Sequence, residues 1–236
     1  MLTVSTPCYN HGKYLEEAIL SVLNQSYSDF KYVLVNDGST DDSLDIMRAY
    51  EKLDDRIEVI DQPKQQNKTI GLNKTIQGKL WLWCPADDIL KQDCILHKML
   101  SIRSYPCVLY NYGFDIINQY GELTSIVSLA EKSIEDFWKH VWSNCDIAFT
   151  GALFDCRVFD IVGKFPEEEN ISEDFKWMLK ACILKVPFIG LQDNQHYKRI
   201  NPESASAKNS TLLAENTAKI RREVADTFDK TFTNQG

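Results

Sequence analysis

A chain of 236 residues, 44% hydrophobic and 25% charged, is sized for one large α/β domain or two small ones with a sizeable core. Its formal net charge of −8 excludes a general nucleic-acid binder, which needs a basic face, and leaves any phosphorylated ligand dependent on compensating positive charge. Seven cysteines without a CxxC pair, several in apolar runs, point to free thiols in a reducing compartment rather than to disulfides or zinc. No signal-peptide pattern precedes the first strand and the apolar runs are too short to span a bilayer, so a cytoplasmic location is expected.

In chain order, Leu2 to Ser5 reads as a strand, followed by the turn Thr6-Pro7-Cys8-Tyr9-Asn10-His11-Gly12. Tyr14 to Gln25 has helical periodicity, with Leu15, Ala18, Ile19, Val22 and Leu23 on one face. A second strand, Phe30 to Val35, stops at the polar cluster Asn36 to Ser43, where Ser39 or Thr40 would cap a helix running to about Leu53. A third strand covers Ile57 to Ile60, and Asn67 to Gln77 is a short helical segment. Strands and helices alternating at this spacing predict a doubly wound, mostly parallel sheet with helices on both faces.

The run Trp81-Leu82-Trp83-Cys84-Pro85-Ala86-Asp87-Asp88 has the apolar continuity of a strand covered on both faces, and it ends in two carboxylates. Ligands of open α/β sheets bind beyond the carboxyl ends of such strands. Adjacent carboxylates there repel each other, and a divalent cation with oxygen ligands is the simplest compensation. The alternative is that Asp87 and Asp88 cap a helix starting near Ile89 and running to about Ile102. Beyond it, strands are expected at Val108 to Tyr112, Ile147 to Phe154 and Val186 to Leu191, with a strand–turn–strand unit over Gly113 to Val127. Helices are expected at Ile134 to Trp142, at Val158 to Val162 and from the Ser172-Glu173-Asp174 segment to about Leu184. Ser210 to Phe232 carries Leu213, Ile220, Val224, Phe228 and Phe232 at helical spacing; this stripe packs on its own domain, or docks on a membrane surface or a second subunit.

The motifs Thr6-Pro7-Cys8-Tyr9-Asn10, Ser21-Val22-Leu23-Asn24-Gln25-Ser26-Tyr27, Val35-Asn36-Asp37-Gly38-Ser39-Thr40-Asp41, Ala86-Asp87-Asp88 and Ser172-Glu173-Asp174 together closely resemble the family 2 glycosyltransferases of the GT-A fold. The likeness runs in order over roughly residues 2 to 206, leaving 207 to 236 as a carboxyl-terminal amphipathic helix. It implies a single domain, with a nucleotide-sugar side to about residue 100 and an acceptor side beyond it. It further implies inverting transfer from a nucleotide diphosphate sugar, with Mn2+ or Mg2+, to a glycan or lipid-linked acceptor hydroxyl, in surface polysaccharide or glycan synthesis.

By the same resemblance, Pro7 and Tyr9 line the nucleotide base and Asp37 recognises it. A carboxylate accepting a ring N–H suits uracil; the local alternative for Asp37 is an Asx turn with Ser39. Asp88 and Asp87 match the metal motif, Asp88 as the direct ligand, and Asp87 also belongs to the nucleotide set. Asp174 is assigned as the base that takes the acceptor proton, with Glu173 as the alternative, while Ser172 and Glu173 as a simple helix start is the competing reading. Asn67, Lys68, Asn73 and Lys74 are within reach of ribose or phosphate, Arg199 or Lys198 would face the diphosphate, and His196 is a displaced contact or a packed residue. Gly151 would leave room for an acceptor sugar. Pro85 and Asn201 depart from the family pattern, as does the shortened stretch from Pro63 to Gly78. They motivate a rival reading, a degenerate domain that binds nucleotide or glycan. A sugar-nucleotide nucleotidyltransferase is a second rival, but it would carry a glycine-rich basic loop after the first strand.

Overall fold

A computed structural model describes residues 1–62, 68–128, 132–143, 149–168, 172–202 and 204–232. The first half alternates β1 (Leu2–Cys8), α1 (Gly12–Leu23), β2 (Phe30–Asn36), α2 (Ser43–Leu53), β3 (Ile57–Asp61), α3 (Lys68–Thr75) and β4 (Leu80–Trp83). Then come β5 (Ile89–Leu90), α4 (Cys94–Leu100), β6 (Val108–Asn111), β7 (Gly113–Ile117), β8 (Leu123–Ser128) and α5 (Ile134–Ser143). The chain continues through β9 (Leu153–Asp155), α6 (Arg157–Val162), α7 (Glu173–Ile183), β10 (Phe188–Leu191) and β11 (His196–Arg199). It closes with α8 (Ala205–Lys208) and α9 (Ser210–Phe232).

A seven-stranded sheet runs β10-β6-β9-β4-β1-β2-β3 and is parallel except for β9. Strands from both halves of the chain share it. On one face Leu82 packs with Val4, Leu34, Leu15, Ile19 and Ile95. On the other, Trp81 and Trp83 join Phe154, Phe165, Phe175 and Trp177. Helices cover both faces, so the continuous apolar reading of β4 has its physical cause. Because β1, β2 and β4 are parallel, their carboxyl ends open at one edge. The antiparallel β9 brings its own beginning, and hence Thr150 and Gly151, to that same edge.

A second sheet, β5-β11-β7-β8, stands beside the first. It accounts for the main departure from expectation. No helix begins near Ile89: Ile89 and Leu90 pair antiparallel with Tyr197 and His196, and the helix starts only at Cys94. The Asp87–Asp88 pair therefore caps nothing. β11 itself was not expected, since His-Tyr-Lys-Arg has no strand periodicity and forms because β7 and β5 flank it.

Smaller differences have local causes. β1 continues through Pro7 to Cys8, with Pro7 opposite Val35. The Ser5 carbonyl accepts from Cys84 N–H, so by alternation Pro7 turns its nitrogen to the side where the β4 ladder has ended at Trp83, and no hydrogen bond is lost. α2 starts at Ser43, whose N–H bonds Asp41 Oδ1, and neither Ser39 nor Thr40 caps it. In α9, Ile220 is buried and Val224 packs on the same cluster as α7, which places that part of the stripe on the domain. Among the described residues no helix is long and apolar enough to cross a membrane.

Candidate active site

The loops after β1 and β2 are sewn together by side chains. Asn10 N–H bonds Ser39 Oγ at 3.1 Å, Thr40 N–H bonds Asn10 Oδ1 at 2.7 Å, and Gly12 N–H bonds Asp41 Oδ2 at 2.9 Å. Asn10 takes a positive φ of 55° to do so, a conformation Asn tolerates better than most residues. Tyr9 at the end of β1 is 38% exposed, which leaves its ring open. Pro7 is half-buried.

Asp37 is buried at the end of β2, and its Oδ1 accepts from Gln62 Nε2 at 3.1 Å. The local turn is made by its neighbour instead: Ser39 N–H donates to Asn36 Oδ1 at 3.0 Å, and Asn36 Nδ2 reaches Asp61 at 2.7 Å. Asp37 is thus spared the Asx role. Gln62 belongs to no sequence motif; its only signal is that it is a polar residue just past the carboxyl end of β3. Its Oε1 accepts from Lys74 Nζ at 3.2 Å, so a lysine, a glutamine and the aspartate form one chain. Gly71 is tightly packed there: a Cβ would lie 2.5 Å from Val35 Cγ1 and 2.8 Å from Gln62 Nε2. Asn73 faces elsewhere, holding Phe165 through its backbone N–H and C=O and Glu167 through its carboxylate, and does not point to a ligand. Asn67 lies outside the described residues.

Asp88 is buried, and both of its oxygens are engaged. Oδ2 accepts from the Thr150 hydroxyl at 2.6 Å and Oδ1 from the Arg199 backbone N–H at 2.9 Å. Burial first, and then the charge of Asp87, push the Asp88 carboxyl up to about 7. Asp87 is the more open of the two, with Oδ2 accepting from Asn201 Nδ2 at 3.2 Å and lying 3.8 Å from His11 Nε2. Two neighbouring carboxylates held against mutual repulsion and desolvation fit a hard divalent cation. Among the described residues no group of three or more His, Cys, Asp or Glu side chains could hold a metal alone, so ligand oxygens would have to complete the shell.

Two expected contacts, those of Arg199 and Gly151, stand differently. Arg199 is buried and its guanidinium is committed to Glu17, to the Asp87 carbonyl at 2.9 Å and to the Asn118 carbonyl at 3.3 Å, not to an open crevice. Lys198 is the exposed cation whose field acts on Asp88, and its Nζ sits 5.5 Å from the Phe114 ring centre. Gly151 has φ +68°, and a Cβ would meet Cys94 Sγ and Leu90 Cδ2 at 3.2 Å each. Its missing side chain serves a left-handed turn and close packing, not space for a sugar. His196 is buried and stacked on Phe114 at 5.5 Å, a packed residue as the simpler reading had it.

Glu173 and Asp174 begin α7, where Ser172 adopts φ 74° and makes no side-chain cap bond. Glu173 is fully buried. Asp174 is half-buried, with Oδ1 accepting from Phe175 N–H at 2.7 Å. Trp177, on the next turn, meets Phe149 edge-on at 6.5 Å, and Phe149 precedes the Thr150 that holds Asp88. Packing thus links the start of α7 to the acidic pair.

This architecture is that of the GT-A glycosyltransferases. It resembles Staphylococcus aureus TarS residues 1-349 in complex with UDP-GlcNAc, with a TM-score of 0.75, 19% identity, and coverage of 98% of this chain and 67% of that one. The mannosyltransferase PcManGT from Pyrobaculum calidifontis, in complex with GDP-Man and Mn2+, gives a TM-score of 0.68 at 16% identity, covering 95% and 63%. Residues 3–160 match the profile of glycosyl transferase family 2, and the chain belongs to that family. Among curated relatives, the putative teichuronic acid biosynthesis glycosyltransferase TuaG of Bacillus subtilis is 31% identical over 124 residues, 51% of this chain and 49% of TuaG. Glycosyltransferase GlyG of Streptococcus pneumoniae is 33% identical over 118 residues, 48% of this chain and 39% of GlyG. The chain spans half or less of the length of these two relatives.

Proposed function

We propose that this family 2 glycosyltransferase transfers a sugar, with inversion, from a uridine diphosphate donor to an acceptor hydroxyl on a glycan or lipid-linked glycan of a surface polysaccharide. The observation that carries the reading is the single edge at which β1, β2 and β4 end, with Tyr9, Asp37 and the Asp87–Asp88 pair on adjoining loops. Tyr9 and Pro7 would flank the base and Asp37, oriented by Gln62, would accept a uracil N–H. The UDP-GlcNAc bound by TarS supports a uridine donor. In this reading residues up to about 100 would form the donor side and those from about 101 to 206 the acceptor side, with the helix of 207 to 236 apart from both.

Asp88 and Asp87 would hold Mn2+ or Mg2+, which supplies charge neutralisation for the departing diphosphate; the Mn2+ in the PcManGT complex supports this. Asp87 also faces the nucleotide, and Lys198 lends positive field from the side. The acceptor oxygen attacks the anomeric carbon opposite the leaving group, and the electron pair of the broken C–O bond leaves with the diphosphate. Asp174 takes the hydroxyl proton, since it is open enough to meet the acceptor, while the fully buried Glu173 is the alternative. Uridine diphosphate release from a panel of uridine diphosphate sugars tests the reading. Turnover with at least one donor, lost by about a hundredfold or more in Asp174→Asn while uridine diphosphate binding is retained, is the expected result. Equal turnover by that variant would move the base to Glu173.

A further inference from the structure

α1 carries a row of polar side chains four residues apart, Glu17 and Ser21 within the helix and Gln25 just beyond its end. All three address the chain that follows β4. Gln25 donates from Nε2 to the Lys91 carbonyl at 2.7 Å and accepts Ile95 N–H on Oε1 at 3.0 Å. Ser21 Oγ accepts Leu90 N–H at 3.1 Å. Glu17 reaches the same segment through Arg199, whose guanidinium it binds.

Arg199 makes the connection unusually firm. Its Nε donates to the Asp87 carbonyl and its backbone N–H to Asp88 Oδ1, both at 2.9 Å, while the guanidinium carbon lies 4.8 Å from the Tyr14 ring centre on α1. The segment Cys84 to Asp88 belongs to no helix or strand; Cys84 N–H is tied to the Ser5 carbonyl and Asp87 Oδ2 to Asn201, and the Arg199 bonds with Thr150 hold the two carboxylates at its far end. Charge matters as well as geometry. The Arg199 side chain is 2% exposed and Glu17 is its ion-pair partner. Without the Glu17 charge, a buried guanidinium would be left beside Asp87 and Asp88, and it would be drawn onto them.

We infer that Glu17, acting through Arg199, is a positioning residue for the Asp87–Asp88 pair, and that α1 with its row Glu17, Ser21 and Gln25 sets where the two carboxylates stand. This rests on the reading of that pair as a divalent-cation site. Glu17 has two effects: it anchors the turn, and it keeps the Arg199 cation off the carboxylates so that a metal ion can take them.

The test is Mn2+ affinity without turnover, followed as the loss of the free-Mn2+ electron paramagnetic resonance signal on adding metal-free protein, with thermal midpoints measured in parallel. Glu17→Gln is expected to weaken Mn2+ about tenfold, the scale seen when partners of metal ligands are removed, with little change in midpoint. In the Arg199→Met background the Glu17→Gln change should have no further effect. Glu58→Gln, which breaks the exposed pair with Lys31, should leave affinity unchanged. If Glu17→Gln binds Mn2+ like the wild type, or weakens it equally with Arg199 absent, the inference is overturned. If the wild type binds no better than Asp88→Asn, the cation reading falls and takes the inference with it.

Discussion

The hydroxyl of Thr150 donates to Asp88 Oδ2 across 2.6 Å, joining residues 62 apart in sequence. It comes from the turn that leads into the one antiparallel strand of the main sheet, and it fixes one oxygen of the carboxylate while the Arg199 N–H fixes the other. A hydrogen bond to a charged group is worth about 1.5–3 kcal/mol. Thr150→Val keeps the shape and removes the donor, so Mn2+ affinity should fall roughly tenfold, at 1.4 kcal/mol per factor of ten. A titration of Mn2+ into the metal-free variant measures it, and unchanged affinity would mean that Arg199 alone orients Asp88.

Burial and the Asp87 charge raise the Asp88 carboxyl from 3.8 to about 7. Between these pH values the unfolded chain releases the proton that the folded chain retains. Metal-free protein should therefore lose stability as pH rises from about 4 to about 7, and not recover it above. Asp88→Asn is neutral throughout; its amide can donate to Thr150 and its carbonyl can accept Arg199 N–H. Urea unfolding in the presence of a chelator should show the variant more stable than wild type near about pH 8 by a few kcal/mol, at about 1.4 kcal/mol per tenfold change in acidity, with the gap closing towards about pH 4. A gap independent of pH would place the carboxylate in a wetter setting.

His196 behaves in the opposite sense. Burial, then the charges of Lys98, Lys198 and Lys91, hold its imidazole down from 6.5 to about 3, and neither ring nitrogen has a hydrogen-bond partner among the described residues. The unfolded chain takes up a proton as pH falls below about 6.5 and the folded chain does not, so stability present above that pH is lost towards about pH 3. His196→Phe retains the stack on Phe114 and removes the two unpartnered nitrogens. The variant should gain on wild type by about 1 kcal/mol or more as pH falls from about 7 to about 5 in chemical unfolding, and a constant difference would contradict it.

Much of this site is legible in the sequence because buried parallel strands announce themselves. The apolar runs Phe30 to Val35 and Trp81 to Trp83 mark β2 and β4, and the polar residues that stop them fall at the sheet edge where ligands bind. What is not legible depends on contacts from far along the chain. The four residues of β11 are polar and charged, and only β7 and β5 make them a strand; through them Ile89 and Leu90 become a strand rather than a helix start. Arg199 reads as an exposed cation for a diphosphate until its Glu17 partner, 182 residues away, is seen. Gln62 gives no periodic signal and gains its meaning only from Asp37. Gly151 reads as room for a ligand, yet its positive φ and its neighbours Cys94 and Leu90 use the space.

The most direct test of the account is a calorimetric titration of uridine diphosphate, with and without Mn2+, into the wild type, Asp37→Asn and Asp88→Asn. The account predicts wild-type binding that strengthens with Mn2+, weakening in Asp37→Asn with or without the metal, and a Mn2+ effect that disappears in Asp88→Asn alone. Binding that is indifferent to Mn2+ and to both substitutions, or confined to guanosine diphosphate, would contradict it.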